Sequence, residues 1–206
     1  MKIGIIGAGQ VGSRLGKAWA AHGHEIMFSS RTPESEKMQS LVAAAGANTQ
    51  AGTVQETLAF GEIIVMALHW DVLESVVTTT PGDWKNKIMI DVTNRFIPAP
   101  PDTAGSAAQD LARLTGANVV KAFNHIGAEH MQFSEFPDGP ASILICGDDN
   151  KAKATVRELV AQLGFEVFDM GWLREAHHLE ALAKVWIHAA FNTDLGRNIA
   201  FRLIRK

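Results

Sequence analysis

The chain has 206 residues, 47% of them hydrophobic, so it is long enough to enclose a sizeable core as one domain. Nineteen basic against 22 acidic residues give a net charge of −3, which leaves no electrostatic case for nucleic-acid binding. Cys146 is the single cysteine and lies in an apolar segment, which favours a reducing compartment, and we expect the cytoplasm. No apolar run approaches the roughly 20 residues of a membrane helix, so we expect neither a signal peptide nor a membrane partner.

The first residues predict the phosphate-binding turn of a dinucleotide fold. An apolar strand at residues 2–6 leads directly into a Gly-x-Gly-x-x-Gly turn, and an amphipathic helix follows. In this context Gly7 makes the tight turn, Gly9 lets the backbone approach a pyrophosphate, and Gly12 lets the helix pack close to the strand. The residues predicted to bind the cofactor here are Gly7, Ala8, Gly9, Gln10, Val11 and Gly12.

The end of the second strand, at residues 24–28, indicates which dinucleotide is bound. A chain that prefers NAD carries Asp or Glu about 20 residues after the glycines, where it binds the ribose 2′-hydroxyl. This chain instead has Ser29-Ser30-Arg31-Thr32. Ser30 and Arg31 would bind a 2′-phosphate through charge-assisted hydrogen bonds, which predicts NADP(H). The alternative is a polar turn with a solvated arginine.

Strand and helix patterns then alternate along the chain, as a parallel α/β sheet requires. The predicted strands span residues 47–51, 63–68, 87–91, 118–123, 142–146 and 166–170. The predicted helices span residues 34–45, 54–60, 70–77, 106–115 and 150–163. A proline-rich stretch at 96–101 can be neither helix nor central strand. The fold class is therefore α/β, a doubly wound parallel Rossmann sheet, with residues 1–206 forming a single dinucleotide-binding domain.

Residues 172–206 predict a C-terminal helical tail that caps the cleft. Apolar residues recur at helical spacing at Leu179, Leu182, Trp186, Ala190, Phe191, Leu195, Ile199 and Leu203. Because the stripe is long and centred on aromatic residues, we expect a homodimer through this helix, with intramolecular capping alone as the alternative. We interpret the basic residues Arg197, Arg202, Arg205 and Lys206 as complementing the helix dipole and solvent.

Several motifs in order resemble one family over essentially the whole chain. They are the glycine turn, Ser30-Arg31, Trp70, Asp91-Val92-Thr93-Asn94, Ser106-Ala107-Ala108, Val120-Lys121-Ala122-Phe123-Asn124 and Cys146-Gly147-Asp148-Asp149. The family comprises the NADP-dependent reductases of the 8-hydroxy-5-deazaflavin coenzyme, and the same fold recurs in the reductase domain of six-transmembrane metalloreductases. The resemblance implies hydride transfer between NADPH and a flavin or 5-deazaflavin, a small-molecule redox acceptor.

The resemblance also implies further cofactor contacts beside the nicotinamide. These are Ala67, Leu68, His69, Trp70, Asn94, Ala122, Phe123 and Asn124. Ser35 replaces a basic residue common in the family, and Lys37 is close enough to substitute for it. His69 and Arg95 stand where relatives often carry proline, so cofactor binding carries over better than the identity of the acceptor.

Hydride transfer between stacked rings depends mainly on positioning, so few catalytic side chains are expected. The chain has no tyrosine and therefore no Tyr–Lys proton-donating pair. The catalytic candidates are His69, His125 and Asn94; each histidine either contacts the substrate or has a polar loop role. No metal site is expected from His177, His178 and His188.

Two alternative functions remain at this point. One is reduction of a small carbonyl or imine, which needs a positioned proton donor and would make His69 or His125 essential. The other is a non-catalytic protein that senses NADP(H) or binds a partner. The second would be favoured if Trp70, Phe96 and Arg95 fill the acceptor cleft.

Overall fold

Helices and strands alternate along the computed structural model, which describes residues 1–96, 105–132 and 134–206. The strands are β1 (Lys2–Ile6), β2 (Glu25–Ser29), β3 (Thr49–Gly52), β4 (Ile63–Met66), β5 (Ile88–Asp91), β6 (Asn118–Lys121), β7 (Glu135–Phe136), β8 (Gly139–Pro140), β9 (Ser142–Gly147) and β10 (Glu166–Asp169). The helices are α1 (Gln10–Ala21), α2 (Glu36–Ala45), α3 (Val54–Phe60), α4 (Trp70–Thr79), α5 (Ala107–Thr115), α6 (Asn150–Gln162) and α7 (Ala176–Asn192). The proline-rich stretch predicted at 96–101 lies, apart from Phe96, outside the described residues.

Eight of these strands form one sheet in the order β10-β9-β6-β5-β4-β1-β2-β3. The six strands from β6 to β3 are parallel, so their carboxyl ends share one edge. The chain leaves β1 toward β2 and β3 on one side and returns to β4 on the other. In open α/β sheets this reversal opens a crevice beyond the carboxyl ends of the strands. The predicted doubly wound fold is confirmed.

The core lies on both faces of the sheet, as the period-two alternation of the buried strands requires. Ile5 and Val65 face a layer that includes Trp19 of α1 and Val156 of α6. Ile6, Ile64 and Met66 face the opposite layer. That second layer is built from side chains of α3, α4, α5 and α7, namely Leu58, Leu73, Leu111 and Leu179.

The sheet departs from the predicted all-parallel arrangement at one end. β9 is antiparallel to β6, with Lys121 paired to Cys146, and β10 is parallel to β9. A parallel neighbour needs a crossover connection, usually a helix. Between β6 and β9 the described residues form a 3-10 turn at Ala128–His130 and the β7–β8 hairpin, so the chain returns from the same edge. The helix α6 supplies the crossover that makes β10 parallel to β9.

The prediction of one helical tail over residues 172–206 is wrong in its second half. The helix α7 ends at Asn192, and Gly196 reverses the chain with a φ of +70°. The segment beyond it runs back over the domain. The Trp186 Nε1 donates to the carbonyl oxygen of Ile199 at 2.8 Å, and the backbone N–H of Ser142 donates to that of Phe201 at 2.9 Å. Apolar residues continue to recur at helical spacing beyond Gly196, but the backbone there is not helical.

Candidate active site

The glycine-rich turn lies between the carboxyl end of β1 and the first turn of α1. Gly7 has a φ of +105°, and a Cβ on it would clash with the carbonyl group of Ala67. A Cβ on Gly12 would clash with the carbonyl oxygen of Gly7. Only glycine fits at these two positions. The tight turn and the close approach of α1 to β1 therefore depend on them, as the sequence predicts.

Gly9 has no comparable structural reason to be glycine. Its φ is −79°, and a Cβ built on it would meet nothing within 4 Å. It is the N-cap residue of α1, and no side chain caps the helix or places a carboxylate in its first turn. The open space above Gly9 therefore fits a ligand that approaches the backbone closely. A pyrophosphate would accept hydrogen bonds there from the first N–H groups of α1.

The end of β2 forms the second part of the crevice. The Ser29 Oγ accepts a hydrogen bond from the backbone N–H of Gly7 at 3.1 Å, so this buried serine braces the turn. Ser30 is half-buried, and its Oγ accepts from the backbone N–H of Thr32 at 3.1 Å. Arg31 is exposed and forms no ion pair with any described residue.

A pocket of about 440 Å³ lies at this end of the crevice. Its lining residues are Gly7, Ser29, Ser30, Arg31, Val54, Leu68, Val72 and Val76. The lining combines hydroxyls and a guanidinium with an apolar wall, and it contains no carboxylate. This lining suits a phosphorylated ribose next to an adenine ring, because a carboxylate would repel the phosphate.

The loop between β4 and α4 brings four of the predicted contacts to the same edge. Ala67 and Leu68 are half-buried, and Trp70 is the first residue of α4. His69 is the N-cap residue of α4, with 80% of its side chain exposed. Its Nδ1 lies 3.0 Å from the Asp71 Oδ1. His69 is therefore accessible at the crevice edge and is paired with a neighbouring carboxylate.

Asn94 and Asn124 join the loops that follow β5 and β6. The Asn94 Nδ2 donates to the Asn124 carbonyl oxygen at 2.8 Å, and the Asn124 Nδ2 donates to the Asn94 Oδ1 at 2.9 Å. The Asn124 Nδ2 also donates to the carbonyl oxygen of Leu179 in α7 at 2.8 Å. This amide pair fixes the two loops relative to each other and to α7.

Phe123 lies two residues beyond the end of β6, which the sequence predicts to extend as far as this residue. It has a φ of +60°, and no other non-glycine residue in the described ranges has a positive φ. Its ring is buried edge-on between Trp19, 5.9 Å away, and Phe165, 6.0 Å away. Such backbone strain persists where surrounding structure holds it and is concentrated at functional sites. Because the side chains of Ala122 and Phe123 are buried, these residues can meet a ligand only through their backbone.

His125 lies in the interior of the protein and not at the crevice surface. It is 1% exposed, and its Nε2 accepts a hydrogen bond from the backbone N–H of Leu144 at 3.1 Å. Burial lowers the pKa of His125 to about 4, so the ring is neutral and cannot serve as an acid at neutral pH. Of the two roles that the sequence left open, this geometry favours the structural one.

A buried ionic network below the Asn94–Asn124 pair was not predicted. The Lys121 Nζ donates to the Asp91 Oδ2 at 2.8 Å, to the Thr93 carbonyl oxygen at 2.5 Å and to the Glu180 Oε1 at 2.8 Å. Lys121 and Asp91 are fully buried. Burial disfavours the charge on Lys121, but Asp91 and Glu180 outweigh it and raise the Lys121 pKa above its ordinary value. The network ties β5, β6 and α7 together.

Arg95 extends this network toward the crevice. Its Nη1 lies 3.2 Å from the Asp110 Oδ2, and both side chains are almost fully buried. Its guanidinium carbon lies 4.8 Å from the centre of the Trp70 ring, a cation–π contact. Phe96 beside it is 45% exposed. Arg95, which stands where the resemblance leads us to expect proline, therefore packs against the first residue of α4.

Charged residues within apolar runs of the sequence could have predicted this network. Asp91 ends the apolar run Ile-Met-Ile, Lys121 follows Val-Val and precedes Ala-Phe, and Glu180 lies beside Leu179 in an apolar stripe. Charged residues are rarely buried unless they are paired. Charges inside three apolar runs therefore suggest that they pair with one another, although only the fold shows which ones meet.

The sequence predicts neither a metal site nor a membrane-spanning helix, and both features can be looked for among the described residues. In these ranges no group of three or more His, Cys, Asp or Glu side chains is arranged to hold a metal ion. No helix among them is long and apolar enough to cross a membrane. Cys146 is buried, and burial raises its thiol pKa to about 12, so it is a core residue and not a nucleophile.

Comparison with known proteins agrees with this geometry. Residues 2–95 match the family described as "NADP oxidoreductase coenzyme F420-dependent". This part of the chain is therefore similar to that family. A crystal structure of a candidate F420-dependent NADP reductase from Arthrobacter sp. FB24 superposes with a TM-score of 0.85 at 26% identity, covering 100% of both chains. The resemblance found in the sequence is confirmed by this match and by the shared fold.

Two curated relatives extend beyond this chain. Metalloreductase STEAP3 of Rattus norvegicus is 33% identical over 185 residues, which cover 88% of this chain and 36% of that protein. The F420-dependent NADP reductase of Methanocaldococcus jannaschii is 26% identical over 139 residues, which cover 62% of this chain and 61% of that protein. The chain thus spans less than two thirds of either relative. Both names describe reductases, and that of the Methanocaldococcus protein also names NADP and F420.

Proposed function

We propose that the protein is an NADP(H)-dependent oxidoreductase that transfers a hydride between NADPH and a flavin-type or deazaflavin-type acceptor. The observation that carries the proposal is the crevice itself, in which an open glycine turn adjoins a serine- and arginine-lined pocket without a carboxylate. The family name and the name of the Methanocaldococcus relative support a deazaflavin as acceptor.

In this proposal the residues of the chain mainly bind and orient. The N–H groups at the start of α1 bind the pyrophosphate, and Ser30 and Arg31 bind the 2′-phosphate. NADPH, when bound, supplies the hydride. The Asn94–Asn124 amide pair fixes the two loops at the nicotinamide end, and the Lys121 network beneath holds them in place. Rigid positioning of two planar rings accounts for much of the rate that such a site can provide.

A flavin-type ring suits this site better than a small carbonyl or imine. Reduction of a carbonyl needs a proton donor beside the reacting atom. His125 is neutral and its Nε2 is already engaged by Leu144. Of the two candidate histidines, only His69 could therefore donate a proton; it is exposed and paired with Asp71. The carbonyl or imine alternative therefore depends on His69 alone.

The test is an anaerobic assay that follows the loss of NADPH absorbance with purified protein. We expect oxidation of NADPH when the 8-hydroxy-5-deazaflavin coenzyme or flavin mononucleotide is offered, and much slower oxidation of NADH. Activity with ketones or cyclic imines and none with either ring acceptor would replace the proposal by the carbonyl or imine alternative.

A second candidate function is NADP(H) binding without catalysis. One observation favours it: Arg95 is buried against Trp70 at the place where an acceptor ring would enter. If these side chains block the acceptor, the wild-type protein would bind NADPH but oxidise none with any ring acceptor. Trp70→Ala would then create the missing activity, whereas for an open site this substitution would lower it.

A homodimer through α7 stays a proposal. Leu179 and Trp186, which the sequence suggested for an interface, are buried within the chain. The large hydrophobic residues still exposed on α7 and just after it are Val185, Phe191 and Leu195, each more than half exposed. Light scattering at micromolar concentration measures the mass directly, and a particle with the mass of one chain would rule the dimer out. Residence in the cytoplasm likewise remains a prediction.

A further inference from the structure

A second cavity, of about 460 Å³, lies at the start of α1 and shares no lining residue with the pocket that contains Arg31. It is lined by Gln10, Arg14, Ala128, Glu129 and Arg197. Three elements meet there: the first turns of α1, the 3-10 turn after β6, and the C-terminal segment that the sequence predicted to be helical. Gln10 belongs to the glycine turn, so the cavity shares a wall with the nucleotide crevice.

Arg197 is held in place at this cavity from several sides. Its Nε lies 2.8 Å from the Glu129 Oε1 and its Nη2 lies 2.9 Å from the Glu129 Oε2. Its guanidinium carbon lies 5.3 Å from the centre of the Phe191 ring. The side chain is nevertheless 53% exposed, so further N–H groups of the guanidinium can reach a ligand. The interpretation of Arg197 as a helix-dipole residue is wrong, because it follows the end of α7 and pairs with a carboxylate.

Arg14 contributes the charge that is not matched within the protein. Arg14 is half-buried, and its guanidinium makes no hydrogen bond or ion pair with any of the residues that the structure describes. The first turn of α1 beside it carries no acidic residue. Two guanidinium groups therefore face one carboxylate, Glu129, and the positive end of α1 adds to them. The lining of the cavity has a net positive charge in a protein whose overall charge is negative.

The position of the cavity indicates which anion it would take. Ala128 and Glu129 continue the loop that begins at Asn124, the nicotinamide end of the crevice. This loop thus connects the proposed place of the acceptor ring with the cavity, so a ring side chain that follows the loop ends beside Arg14 and Arg197. Arginine pairs bind phosphate oxygens through several hydrogen bonds in a fixed geometry, which suits a terminal phosphate better than a neutral sugar.

We propose that this cavity binds the terminal phosphate of a phosphorylated flavin-type acceptor, with Arg14 and Arg197 as its ligands. The proposal rests on the proposed function and adds to it a reason for choosing among acceptors. Flavin mononucleotide and riboflavin share one ring and one ribityl chain and differ only in the phosphate. The site therefore predicts a preference between two molecules of equal hydride-accepting chemistry.

The experiment measures the KM of both flavins at saturating NADPH in the wild type and in Arg14→Gln. We expect a KM for flavin mononucleotide at least about tenfold below that for riboflavin in the wild type, because charge-assisted hydrogen bonds to phosphate are strong. In Arg14→Gln the two values should approach each other while the riboflavin KM and the NADPH affinity stay unchanged. Arg157→Gln, an exposed arginine of α6 outside the cavity, is the matched control and should keep the wild-type preference.

Each failure has a separate signature. Equal KM values for both flavins in the wild type would overturn the phosphate site and leave the oxidoreductase intact. A loss of NADPH affinity in Arg14→Gln would assign the cavity to the cofactor and equally overturn the proposal. If neither flavin is reduced, the proposed function fails with these acceptors, and titration of both flavins into the protein loaded with NADP⁺ tests the cavity alone. Binding that does not distinguish them would then reject it.

Discussion

The two ends of the crevice use polar residues in opposite ways. Around the glycine turn and the end of β2, polar groups point outward and lack partners within the described structure: the N–H groups of the first turn of α1, Arg31 and Arg14. Below the ends of β5 and β6, the charges of Asp91, Lys121 and Glu180 are buried and bonded to one another. The first region is built to be completed by a ligand, and the second is complete by itself.

This difference separates the groups that would provide affinity for a ligand from those that hold the loops after β5 and β6 in place. Unpaired donors around an open backbone gain hydrogen bonds only when an anion binds, so they contribute to cofactor affinity. A buried charge network contributes little net stability relative to apolar residues, but breaking it leaves an uncompensated charge. Substitutions in the first region should therefore change ligand binding, and substitutions in the second should change folding.

The largest expected effect is the loss of Lys121. Lys121→Met leaves Asp91 and Glu180 buried without their cation, which should lower the free energy of unfolding by about 3–5 kcal/mol. Denaturant titration measures this loss. The control is Lys153→Met, which removes a partly exposed pair with Asp169 and should cost less than about 1 kcal/mol. Equal losses in both variants would contradict the distinction between the two regions.

His125 should make the stability of the protein depend on pH. The unfolded histidine takes up a proton below its ordinary pKa of 6.5, whereas the buried ring does so only below about 4. Its contribution is therefore complete above pH 6.5 and lost as the pH falls toward 4, by about 3 kcal/mol. Unfolding of His125→Gln should show a shallower slope over this range. His178→Gln alters an exposed ring and should leave the slope unchanged, and a common slope in all three proteins would refute the assignment.

At the open end, Arg31→Asp tests cofactor preference. The substitution replaces a guanidinium by a carboxylate in the lining of the pocket that we propose for the 2′-phosphate. The Kd for NADPH should rise by roughly tenfold to a hundredfold, the range that a charged hydrogen bond provides, while the Kd for NADH should not rise. Isothermal titration with both cofactors measures the ratio, and Arg157→Asp controls for the added negative charge. Equal affinity of the wild type for NADPH and NADH would already exclude the assignment.

The smallest expected effect belongs to His69. If this exposed side chain contacts the acceptor, His69→Ala should lower kcat by a few-fold and leave the Kd of NADPH nearly unchanged. Asp71→Asn, which keeps the ring but weakens its partner, should lie between the wild type and His69→Ala. An unchanged kcat with every acceptor would leave His69 as a helix N-cap residue only.

Much of the fold could be predicted because the relevant information is local. The glycines at 7, 9 and 12, the apolar strands β1 and β4, and the capped helix α3 each fix their structure within a few residues. The prediction that Ser30 and Arg31 bind a 2′-phosphate rests on their distance along the chain from the glycine turn. The predicted structure was wrong where the apolar pattern continued beyond the end of a helix, as at Gly196. It was also wrong where the direction of a strand depended on the connection before it, as at β9.

The sequence by itself determined the glycine-rich turn between β1 and α1, the absence of an acidic residue at the end of β2, and the alternation of strands and helices that places both at one edge of a sheet. These features depend on residues close together in the chain. Only the tertiary structure decided that Lys121 pairs with Asp91 and Glu180, that His125 is buried and neutral, and that Arg197 returns to Glu129 beside α1. Those partners lie between 30 and 68 positions apart in the chain, and no local pattern specifies which charges meet once the strands are packed.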